Sequence, residues 1–462
     1  MAMVRVLNSF FPKRTLLLAA AEALLAILVL VGIAYFWMGA DAELYLAFEL
    51  GYTKITVFCA VFMLMMYYFD LYDSAVMSSA RELYIRFTQV VGTSALLLAL
   101  VYYMLPELQL GRQILWPGII GVAIAIIGGR QLFFALNRTD RFADRVVLLG
   151  TGNLARHLAQ EVTCRPELGV RVLGYVGEAS TPLGGLRRLG EADDLPELVT
   201  QHKIDRVIIT VPDRRGHLPT EKLLQLKTQG ILIQDGADFY EMVTGRLALD
   251  SLRLSWLLFA PASGISRSTL FSQRLASLVL SLFGLLISLP LMAVIAVAIW
   301  LDSKGPILFH QERVGEGGRV FTLHKFRSMR INGNGDGEFK PTSENDDRCT
   351  RVGRWLRRTR LDELPQLYNI LRGDMSIVGP RPFARDEEEH WARQIPYYRL
   401  RWLVKPGVTG WAQIHRGYNA TLEDNVDKLS YDLFYVKNMS LGLDLVILLQ
   451  TIKIVLLGRG AR

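Results

Sequence analysis

Cysteine is scarce in this sequence, and one catalytic pattern is missing from it. The three cysteines, Cys59, Cys164 and Cys349, are far apart in the 462 residues and form no metal-type or disulfide spacing. We interpret them as small buried residues rather than as catalytic thiols. No Tyr-x-x-x-Lys pair occurs anywhere, so a short-chain sugar epimerase or dehydratase would lack its usual proton-transfer pair.

Acidic residues are outnumbered, whereas apolar residues are abundant. Lys and Arg (52) exceed Asp and Glu (44), and 51% of the chain is hydrophobic. Four apolar runs lie near the N-terminus, at residues 16–37, 52–69, 87–105 and 114–129. Each is close to the roughly 20 residues that cross a hydrocarbon core as a helix. The sequence predicts a four-helix transmembrane domain over residues 1–137, and its net charge of +8 favours an anionic membrane face and anionic substrates over nucleic acid.

The orientation of this domain follows from its loop charges. Basic residues precede the first run, separate the second from the third and follow the fourth: Arg5, Lys13, Arg14, Arg81, Arg86, Arg130, Arg138, Arg141 and Arg145. The loop between the first two runs has no Lys or Arg. The positive-inside rule then places both ends of the domain in the cytoplasm. We expect a multi-pass protein of the inner membrane with cytoplasmic soluble domains.

A first soluble domain is predicted over residues 138–262. An apolar strand at 145–149 leads into a glycine turn in which Gly150, Gly152 and Ala155 match G-x-G-x-x-G/A. Strands and helices alternate from there to about residue 250, which predicts a Rossmann-like, doubly wound parallel sheet. The turn is a candidate nucleotide-binding site. Alternatively, the domain is a regulatory or assembly module whose glycines serve strand-to-helix packing.

A fifth apolar run, residues 275–301, contains Ser288 and Pro290 near its middle. Proline removes one backbone donor and clashes with the carbonyl four residues back, so it bends or breaks a helix. Ser288 can satisfy a freed backbone group locally. We interpret the segment 274–301 as a helix that enters the inner leaflet and returns to the same face. An ordinary span with a proline kink is the alternative.

Two neighbouring carboxylates, Asp362 and Glu363, lie between arginines in residues 357–382. One interpretation is structural: Asp362 caps the helix that follows, and Glu363 interacts with its dipole. Yet the surrounding segments carry a dense set of basic residues: Lys325, Arg327, Arg357, Arg358, Arg360, Arg372 and Arg381. Guanidinium groups bind phosphate bidentately, and Mg²⁺ is usually held by one or two carboxylates with substrate phosphates. These residues predict metal-assisted phosphoryl transfer on a diphosphate at a membrane surface.

Four segments resemble the signature blocks of the bacterial polyprenyl-phosphate sugar phosphotransferases that start exopolysaccharide and O-antigen repeat units. They are KFRSM (325–329), LDELPQL (361–367), GDMSIVGPRP (373–382) and KPGVTGWAQI (405–414), in matching order and spacing. The N-terminal domains resemble those of the larger members, and the tail resembles the exosortase-associated branch. The resemblance implies a mixed α/β phosphoglycosyl transferase domain over residues 263–462, with the re-entrant helix inside it.

The resemblance also implies a role for each matching residue. Asp362 would attack the β-phosphorus of a UDP-sugar, giving a phosphosugar-aspartyl intermediate and UMP, and Glu363 would help it to hold Mg²⁺ or handle a proton. Ser288 and Pro290 match the family's helix break, whereas Arg360 stands where relatives often carry a small hydroxyl residue. The residues implied in substrate binding are Lys325, Arg327, Arg357, Arg381, Thr409, Gln413, Asp432 and Tyr435.

Two other functions stay open at this point. One is an NAD-dependent enzyme that modifies nucleotide sugars through the doubly wound domain, and the other is a non-catalytic membrane scaffold for polysaccharide assembly. The expected cofactor is Mg²⁺. The expected partners are a UDP-sugar, undecaprenyl phosphate and the lipid bilayer, without nucleic acid, and a homodimer is a hypothesis. The motifs do not identify the sugar, for which glucose or galactose is a guess.

Overall fold

The computed structural model describes residues 3–6, 9–73, 76, 80–137, 143–165, 168–177, 183, 185–211, 218–249, 266–330, 348–417 and 421–456. Contacts divide the chain into two compact units. The first is Phe11–Gly236 with Met1–Val4, and the second is Ala237–Arg462 with Arg5–Phe10. Two short strands, β1 (Met3–Val6) and β2 (Ser9–Pro12), come first in the chain.

The four apolar runs of the first unit form helices, because each has an inward face that a neighbouring run can cover. The helices are α1 (Lys13–Met38), α2 (Asp41–Phe48), α3 (Gly51–Tyr68), α4 (Ala80–Met104) and α5 (Arg112–Asn137). Leu30, Phe58 and Phe62 are buried in their common core, whereas Leu96 and Ile124 are exposed. The four long helices are apolar enough to cross a membrane. That they do so stays a prediction.

A buried ion pair connects α1 with α5. Glu22 Oε1 accepts a hydrogen bond from Arg130 Nε at 2.6 Å, and Glu22 Oε2 accepts from Arg130 Nη2 at 3.2 Å. Tyr72 Oη donates to Glu22 Oε2 at 2.8 Å, and Arg130 Nη1 donates to the Leu71 carbonyl at 2.8 Å. Arg130, which the sequence analysis counts among the loop charges, therefore lies inside the helical domain.

The doubly wound sheet follows these helices. Its elements are β3 (Asp144–Leu149), α6 (Asn153–Thr163), β4 (Val170–Val176), β5 (Arg188–Gly190), α7 (Leu195–His202), β6 (Arg206–Ile209), α8 (Thr220–Thr228) and β7 (Leu232–Asp235). The five strands are parallel, in the order β5-β4-β3-β6-β7. The predicted parallel sheet is confirmed.

The glycine turn joins β3 to α6. Gly150 has a φ of 118°, and a Cβ there would come within 2.9 Å of the Val211 nitrogen, so only glycine allows this approach of two strand ends. Gly152 precedes α6 as its N-cap, and Ala155 is buried. These contacts agree with the packing interpretation of the turn. Nucleotide binding there stays a prediction.

The second unit is mixed α/β. Its elements are α9 (Gly236–Thr244), α10 (Arg267–Asp302), β8 (Leu308–Val314), β9 (Val320–Phe326), α11 (Arg351–Thr359), α12 (Gln366–Arg372), β10 (Ser376–Val378), α13 (Arg385–Gln394), β11 (Gly407–Thr409), α14 (Trp411–His415), α15 (Leu422–Asn438) and α16 (Leu441–Leu456). β8 and β9 pair antiparallel, whereas β10 and β11 pair parallel. Trp411, Phe434 and Ile447 bring α14, α15 and α16 into one core.

The helix α10 continues through the expected break. It has 36 residues, about 54 Å at 1.5 Å per residue, whereas a hydrocarbon core is about 30 Å thick. Pro290 lies inside it, and Ser288 Oγ donates to the Leu285 carbonyl at 3.3 Å, as expected for a local substitute bond. The helix also begins at Arg267, earlier than predicted. The structure has one helix where a break was expected, and re-entry stays a prediction.

Candidate active site

The acid pair lies on a short turn between two helices. Asp362 and Glu363 belong to the 3₁₀ turn Leu361–Glu363, which separates α11 from α12. Arg360 has a left-handed φ of 55°, and this conformation ends α11 and redirects the chain into the turn. The alternative role of Asp362 as a helix cap is wrong, because Pro365 occupies the capping position of α12. The structure therefore leaves the Asp362 carboxylate for another purpose.

Glu363 is held by two cations from two other motifs. Its Oε1 accepts hydrogen bonds from Lys325 Nζ, on β9, and from Arg381 Nη2, after β10, both at 2.9 Å. Burial alone would raise the pKa of Glu363, but Lys325 and Arg381 outweigh it and hold that pKa well below the usual range. Glu363 is accordingly ionised at neutral pH, and three separated motifs meet at one carboxylate.

Asp362 has a different electrostatic environment from its neighbour. Its side chain is buried, with 9% of its surface exposed. Burial raises the pKa of Asp362 to about 6, Lys325 opposes the rise, and the Glu363 charge adds to it. One carboxylate of the pair is thus firmly ionised, whereas the other titrates just below neutrality. Such a divergence is typical of catalytic carboxylate pairs.

Arg357 acts on Asp362 at a distance. Its charge lowers the pKa of that carboxyl, and its Nη1 lies 3.1 Å from Cys349 Sγ. Arg327 has a different position from the one predicted for a phosphate ligand. Its guanidinium is buried and donates to the carbonyls of Ser303 and Lys304, at 2.6 and 3.0 Å, just after the end of α10. A phosphate contact by Arg327 stays a prediction.

Close backbone contacts fix the turn that carries Arg381. A Cβ on Gly407 would lie 2.1 Å from the Gly379 nitrogen, and a Cβ on Gly410 would lie 2.1 Å from the Gly379 oxygen. The Gly407 nitrogen also donates to the Pro380 carbonyl at 2.9 Å. Side chains at these glycines would force the segments apart. The Gly-Pro-Arg-Pro turn and the Lys-Pro-Gly-Val-Thr-Gly-Trp segment therefore pack directly against each other.

A buried network, which the sequence analysis missed, supports the same turn. Arg401 Nη2 donates to the Arg381 carbonyl at 2.8 Å and lies 2.9 Å from Asp432 Oδ2. Its Nη1 donates to Glu388 Oε1 at 3.1 Å and to Tyr398 Oη at 2.7 Å. Arg401, Glu388 and Asp432 are each at most 4% exposed. Asp432, predicted at the rim of the site, thus holds the arginine that positions Arg381.

Of the remaining residues predicted to bind substrate, two lie inside the domain and one lines a pocket. Thr409 Oγ1 lies 2.6 Å from Thr451 Oγ1, and Tyr435 Oη donates to Asp444 Oδ1 at 2.8 Å, so both side chains are engaged inside the domain. Both residues are buried. Gln413, by contrast, lines an open pocket together with Arg381 and Asp432. A contact of Thr409 or Tyr435 with substrate stays a prediction.

The side chains of the site suit a magnesium ion that takes some of its ligands from the protein and the others from a substrate. Within the described residues no group of three or more His, Cys, Asp or Glu side chains could hold a metal. Asp362 and Glu363 supply the neighbouring carboxylate oxygens of the described site. Mg²⁺ is commonly bound by one or two carboxylates, with phosphate oxygens and waters completing the octahedron. The pair fits that arrangement and does not suit a metal that needs an all-protein cage.

Comparisons with known proteins agree with this geometry. Residues 268–458 match the family model described as bacterial sugar transferase, and residues 67–217 match one described as CoA-binding domain. The chain is 33% identical over 365 residues to a UDP-glucose:undecaprenyl-phosphate glucose-1-phosphate transferase of Xanthomonas campestris pv. campestris, covering 74% of each chain. It is 39% identical over 375 residues, again 74% of each chain, to a UDP-galactose-lipid carrier transferase of Erwinia amylovora.

A third relative matches about half of this chain. It is a UDP-N-acetylgalactosamine-undecaprenyl-phosphate N-acetylgalactosaminephosphotransferase of Aeromonas hydrophila, 42% identical over 225 residues, which are 48% of this chain and 52% of that protein. The three relatives are named for three different sugars. Similarity of this degree therefore does not identify the sugar that this chain uses.

Proposed function

The chain belongs to the bacterial sugar transferase family, and from that premise we propose that it transfers a sugar 1-phosphate from a UDP-sugar to undecaprenyl phosphate and releases UMP. The observation that carries the proposal is the divided acid pair. Glu363 is clamped by Lys325 and Arg381, while Asp362 beside it titrates at about 6. The names of the relatives support the donor and the acceptor.

The first half-reaction uses Asp362 as the nucleophile. A carboxylate oxygen forms a bond to the β-phosphorus of the UDP-sugar, and the bond from that phosphorus to the oxygen bridging the two phosphates breaks. The electron pair of that bond leaves with UMP, and a phosphosugar-aspartyl intermediate remains. Lys325, Arg381 and Arg357 supply positive charge where the phosphoryl oxygens gain negative charge. Mg²⁺, when held by Asp362 and Glu363, would supply further charge neutralisation.

The second half-reaction returns Asp362 to its starting state. A phosphate oxygen of undecaprenyl phosphate attacks the same phosphorus, and the bond between phosphorus and the aspartyl oxygen breaks. The product is undecaprenyl diphosphate sugar, and Asp362 is again a carboxylate. The covalent relay lets one site serve a water-soluble donor and a lipid acceptor in turn.

The contacts of α10 support a location at one membrane face. Near its start, Arg274 Nη1 donates to the Ile370 carbonyl at 2.5 Å, and at its end Asp302 Oδ2 accepts from the Val352 nitrogen at 3.0 Å. Ile370 and Val352 belong to α12 and α11, the two helices that flank the acid pair. A helix that crossed the bilayer would separate these contacts onto opposite sides. We infer that α10 enters the inner leaflet of the inner membrane and that the catalytic domain is cytoplasmic.

The wider role follows from the same reaction. Loading a sugar phosphate on the polyprenyl carrier would be the first membrane step of an exopolysaccharide repeat unit, with glucose or galactose as the expected sugar. The doubly wound domain would then serve regulation or assembly, and a homodimer through it or through the membrane helices belongs to this proposal. Crosslinking in native membranes that gave only monomer would exclude the homodimer.

Product identity is the decisive experiment. The protein in nanodiscs receives undecaprenyl phosphate, Mg²⁺ and a panel of UDP-sugars, with a readout that separates UMP from UDP. We expect UMP release that depends on the lipid phosphate, is lost on chelation by EDTA and is abolished in Asp362→Asn. Release of UDP would indicate plain glycosyl transfer. Silence across the panel from folded protein would favour a scaffold, and stoichiometric bound NAD would favour the oxidoreductase.

A further inference from the structure

An open pocket adjoins the acid pair on the side of Arg381. The space between its lining residues and the solvent on its open side is about 460 Å³. Its lining includes positively charged side chains from several segments, and one amide: Arg360, Arg381, Arg416, Lys428 and Gln413. Arg381 also donates to Glu363, so the pocket is continuous with the reaction centre. Its cations suit phosphate groups, but they give no reason for the amide.

The amide of Gln413 is unsatisfied. Both Nε2 and Oε1 are buried, and neither has a hydrogen-bond partner in the part of the chain that the structure describes. A buried donor or acceptor that is left unpaired destabilises the folded protein. The other polar side chains deep in this wall are paired, as Arg401 and Asp432 are with each other. An amide kept unpaired beside a substrate pocket indicates a partner that arrives with the substrate.

The backbone under Gln413 is fixed relative to the reaction centre. Gln413 lies on α14, whose first residue, Trp411, donates from Nε1 to the Gly245 carbonyl at 2.7 Å and stacks on Phe434. Gly410, just before α14, is in close contact with Gly379 of the turn that carries Arg381. The backbone of Gln413 is therefore held at a set distance from the turn that carries Arg381. That arrangement suits recognition of one part of a substrate whose other end reacts.

We propose that Gln413 recognises the pyrimidine base of the nucleotide, by pairing its amide with the imide edge of uracil. The uracil N3–H donates to Oε1, and a neighbouring uracil carbonyl accepts from Nε2. The amide turns from the pocket wall toward the base to make both bonds. The diphosphate then lies among the cations between the base and Asp362. This inference rests on the proposed function and adds to it the residue that selects the base.

Replacement of Gln413 tests the inference through binding and stability together. Gln413→Met keeps the length of the side chain and removes both hydrogen-bonding atoms. We expect the Kd for UMP, measured by calorimetry on the full chain in nanodiscs, and the KM for the UDP-sugar to rise about 10- to 100-fold, as for loss of a buried polar contact. The kcat at saturating donor should stay unchanged. The unfolding temperature should stay the same or rise, because an unsatisfied amide is removed.

A matched variant controls for the substitution itself. Gln394, at the exposed end of α13, lies 3.2 Å from His390 Nε2 and outside the pocket. Gln394→Met should leave the Kd, the KM and the unfolding temperature unchanged. If Gln413 were a structural residue, Gln413→Met would instead lower the unfolding temperature and reduce kcat. That result would overturn the inference.

A modified nucleotide identifies the part of the substrate that Gln413 contacts. N3-methyl-UMP lacks the imide donor, so it should bind wild-type protein about as weakly as UMP binds Gln413→Met, and methylation should add little further loss in that variant. A full penalty for methylation in Gln413→Met would overturn the inference. The inference would also be overturned if loss of one hexose hydroxyl from the UDP-sugar weakened binding to wild-type protein but not to Gln413→Met. Failure of wild-type protein to bind UMP would overturn it too. UMP binding of the expected pattern without any transfer would contradict the proposed reaction alone.

Discussion

Asp362 and Glu363 are chemically similar and adjacent, yet they differ in their environment. Glu363 forms hydrogen bonds with Lys325 and Arg381, and its ionised form is stabilised. The charges of Lys325 and Arg381 also lower the pKa of Asp362, but burial outweighs them and its pKa rises to about 6. The clamp on Glu363 thus keeps one negative charge fixed. Its neighbour alone changes charge near neutral pH.

The pKa of Asp362 predicts the pH dependence of the reaction. A neutral carboxyl cannot attack phosphorus. We therefore expect kcat/KM to be maximal at pH values well above the pKa of about 6, and to fall tenfold per pH unit below it. Arg357 lowers this pKa. Its replacement in Arg357→Gln should therefore raise the pKa and move the acid limb to higher pH.

The control for this prediction lies on the same helix. Arg354 is exposed on α11, and Arg354→Gln should leave the limb in place. The measurement is kcat/KM for UMP release from pH 5 to 8 at constant ionic strength. An acid limb near the ordinary aspartate value, or one unmoved by Arg357→Gln, would contradict the assignment of Asp362 as the titrating nucleophile.

At the residue scale, the sequence predicted the segments that form the site more accurately than it predicted the role of each side chain. The structure brings together Lys325, Asp362, Glu363 and Arg381, which the sequence analysis had placed at one site. It gives Arg327, from the same motif as Lys325, a position at the end of α10. Lys325 lies on β9, whereas Arg327 follows the end of that strand at Phe326, so the alternation of strand faces no longer determines where its side chain points. The Arg401 network was missed because no periodic pattern marks it.

At the element scale, regular patterns predicted helices and strands well. The strand expected at 145–149 is β3, one residue longer, and the strands that alternate with helices beyond it form the expected parallel sheet. Pro290, where the sequence analysis expects a bend or a break, lies inside one helix in the structure. Pro290 removes one backbone donor, but Ser288 Oγ donates to the Leu285 carbonyl nearby. Beyond Pro290, α10 is stabilised by packing against the catalytic domain. Tertiary contacts outweigh a single unfavourable residue.

The path of α10 predicts the accessibility of its two ends. Cysteines placed at Arg267 and Lys304, which are both exposed, should react with a membrane-impermeant thiol reagent from the cytoplasmic side only. Glu107→Cys, in the loop between α4 and α5, should react from the opposite side. The test needs a background in which the native cysteines are serine: Cys59, Cys164 and Cys349. Labelling of the α10 ends from opposite sides would mean that the helix spans.

At the scale of the whole molecule, the predicted family is confirmed by the match over residues 268–458 and by the relatives. The sequence analysis places a domain boundary at residue 262, which lies outside the described residues and stays a prediction. The contacts divide the chain into two units after Gly236. The segment after Gly236 belongs with the second unit because it interacts with residues far along the chain. Trp411 Nε1 donates to the Gly245 carbonyl, and Asn438 Nδ2 donates to Glu241 Oε1 at 2.8 Å.

Two fragments of the chain test where the catalytic unit begins. A fragment of residues 237–462 keeps the hydrogen bonds to Gly245 and Glu241, whereas a fragment of residues 263–462 loses them, at about 1 kcal/mol each. Both keep α10 and the acid pair. We expect the longer fragment to unfold at a higher temperature in the same nanodiscs and to release more UMP per folded molecule. Equal unfolding temperatures would show that the segment before residue 263 is not part of the unit.

The ion pair between Glu22 and Arg130 has a consequence for biosynthesis. Its partners are 108 residues apart in the chain, and α1 emerges from the ribosome long before α5. A charged residue near the centre of a membrane helix costs roughly 2.5–3.5 kcal/mol on insertion scales. If α1 crosses the bilayer as predicted, its apolar residues must offset the cost of Glu22 when the helix inserts. Tyr72 is made earlier and donates to Glu22 in the folded domain, but the countercharge of Arg130 is available only when α5 is made, so synthesis of residue 130 completes the ion pair.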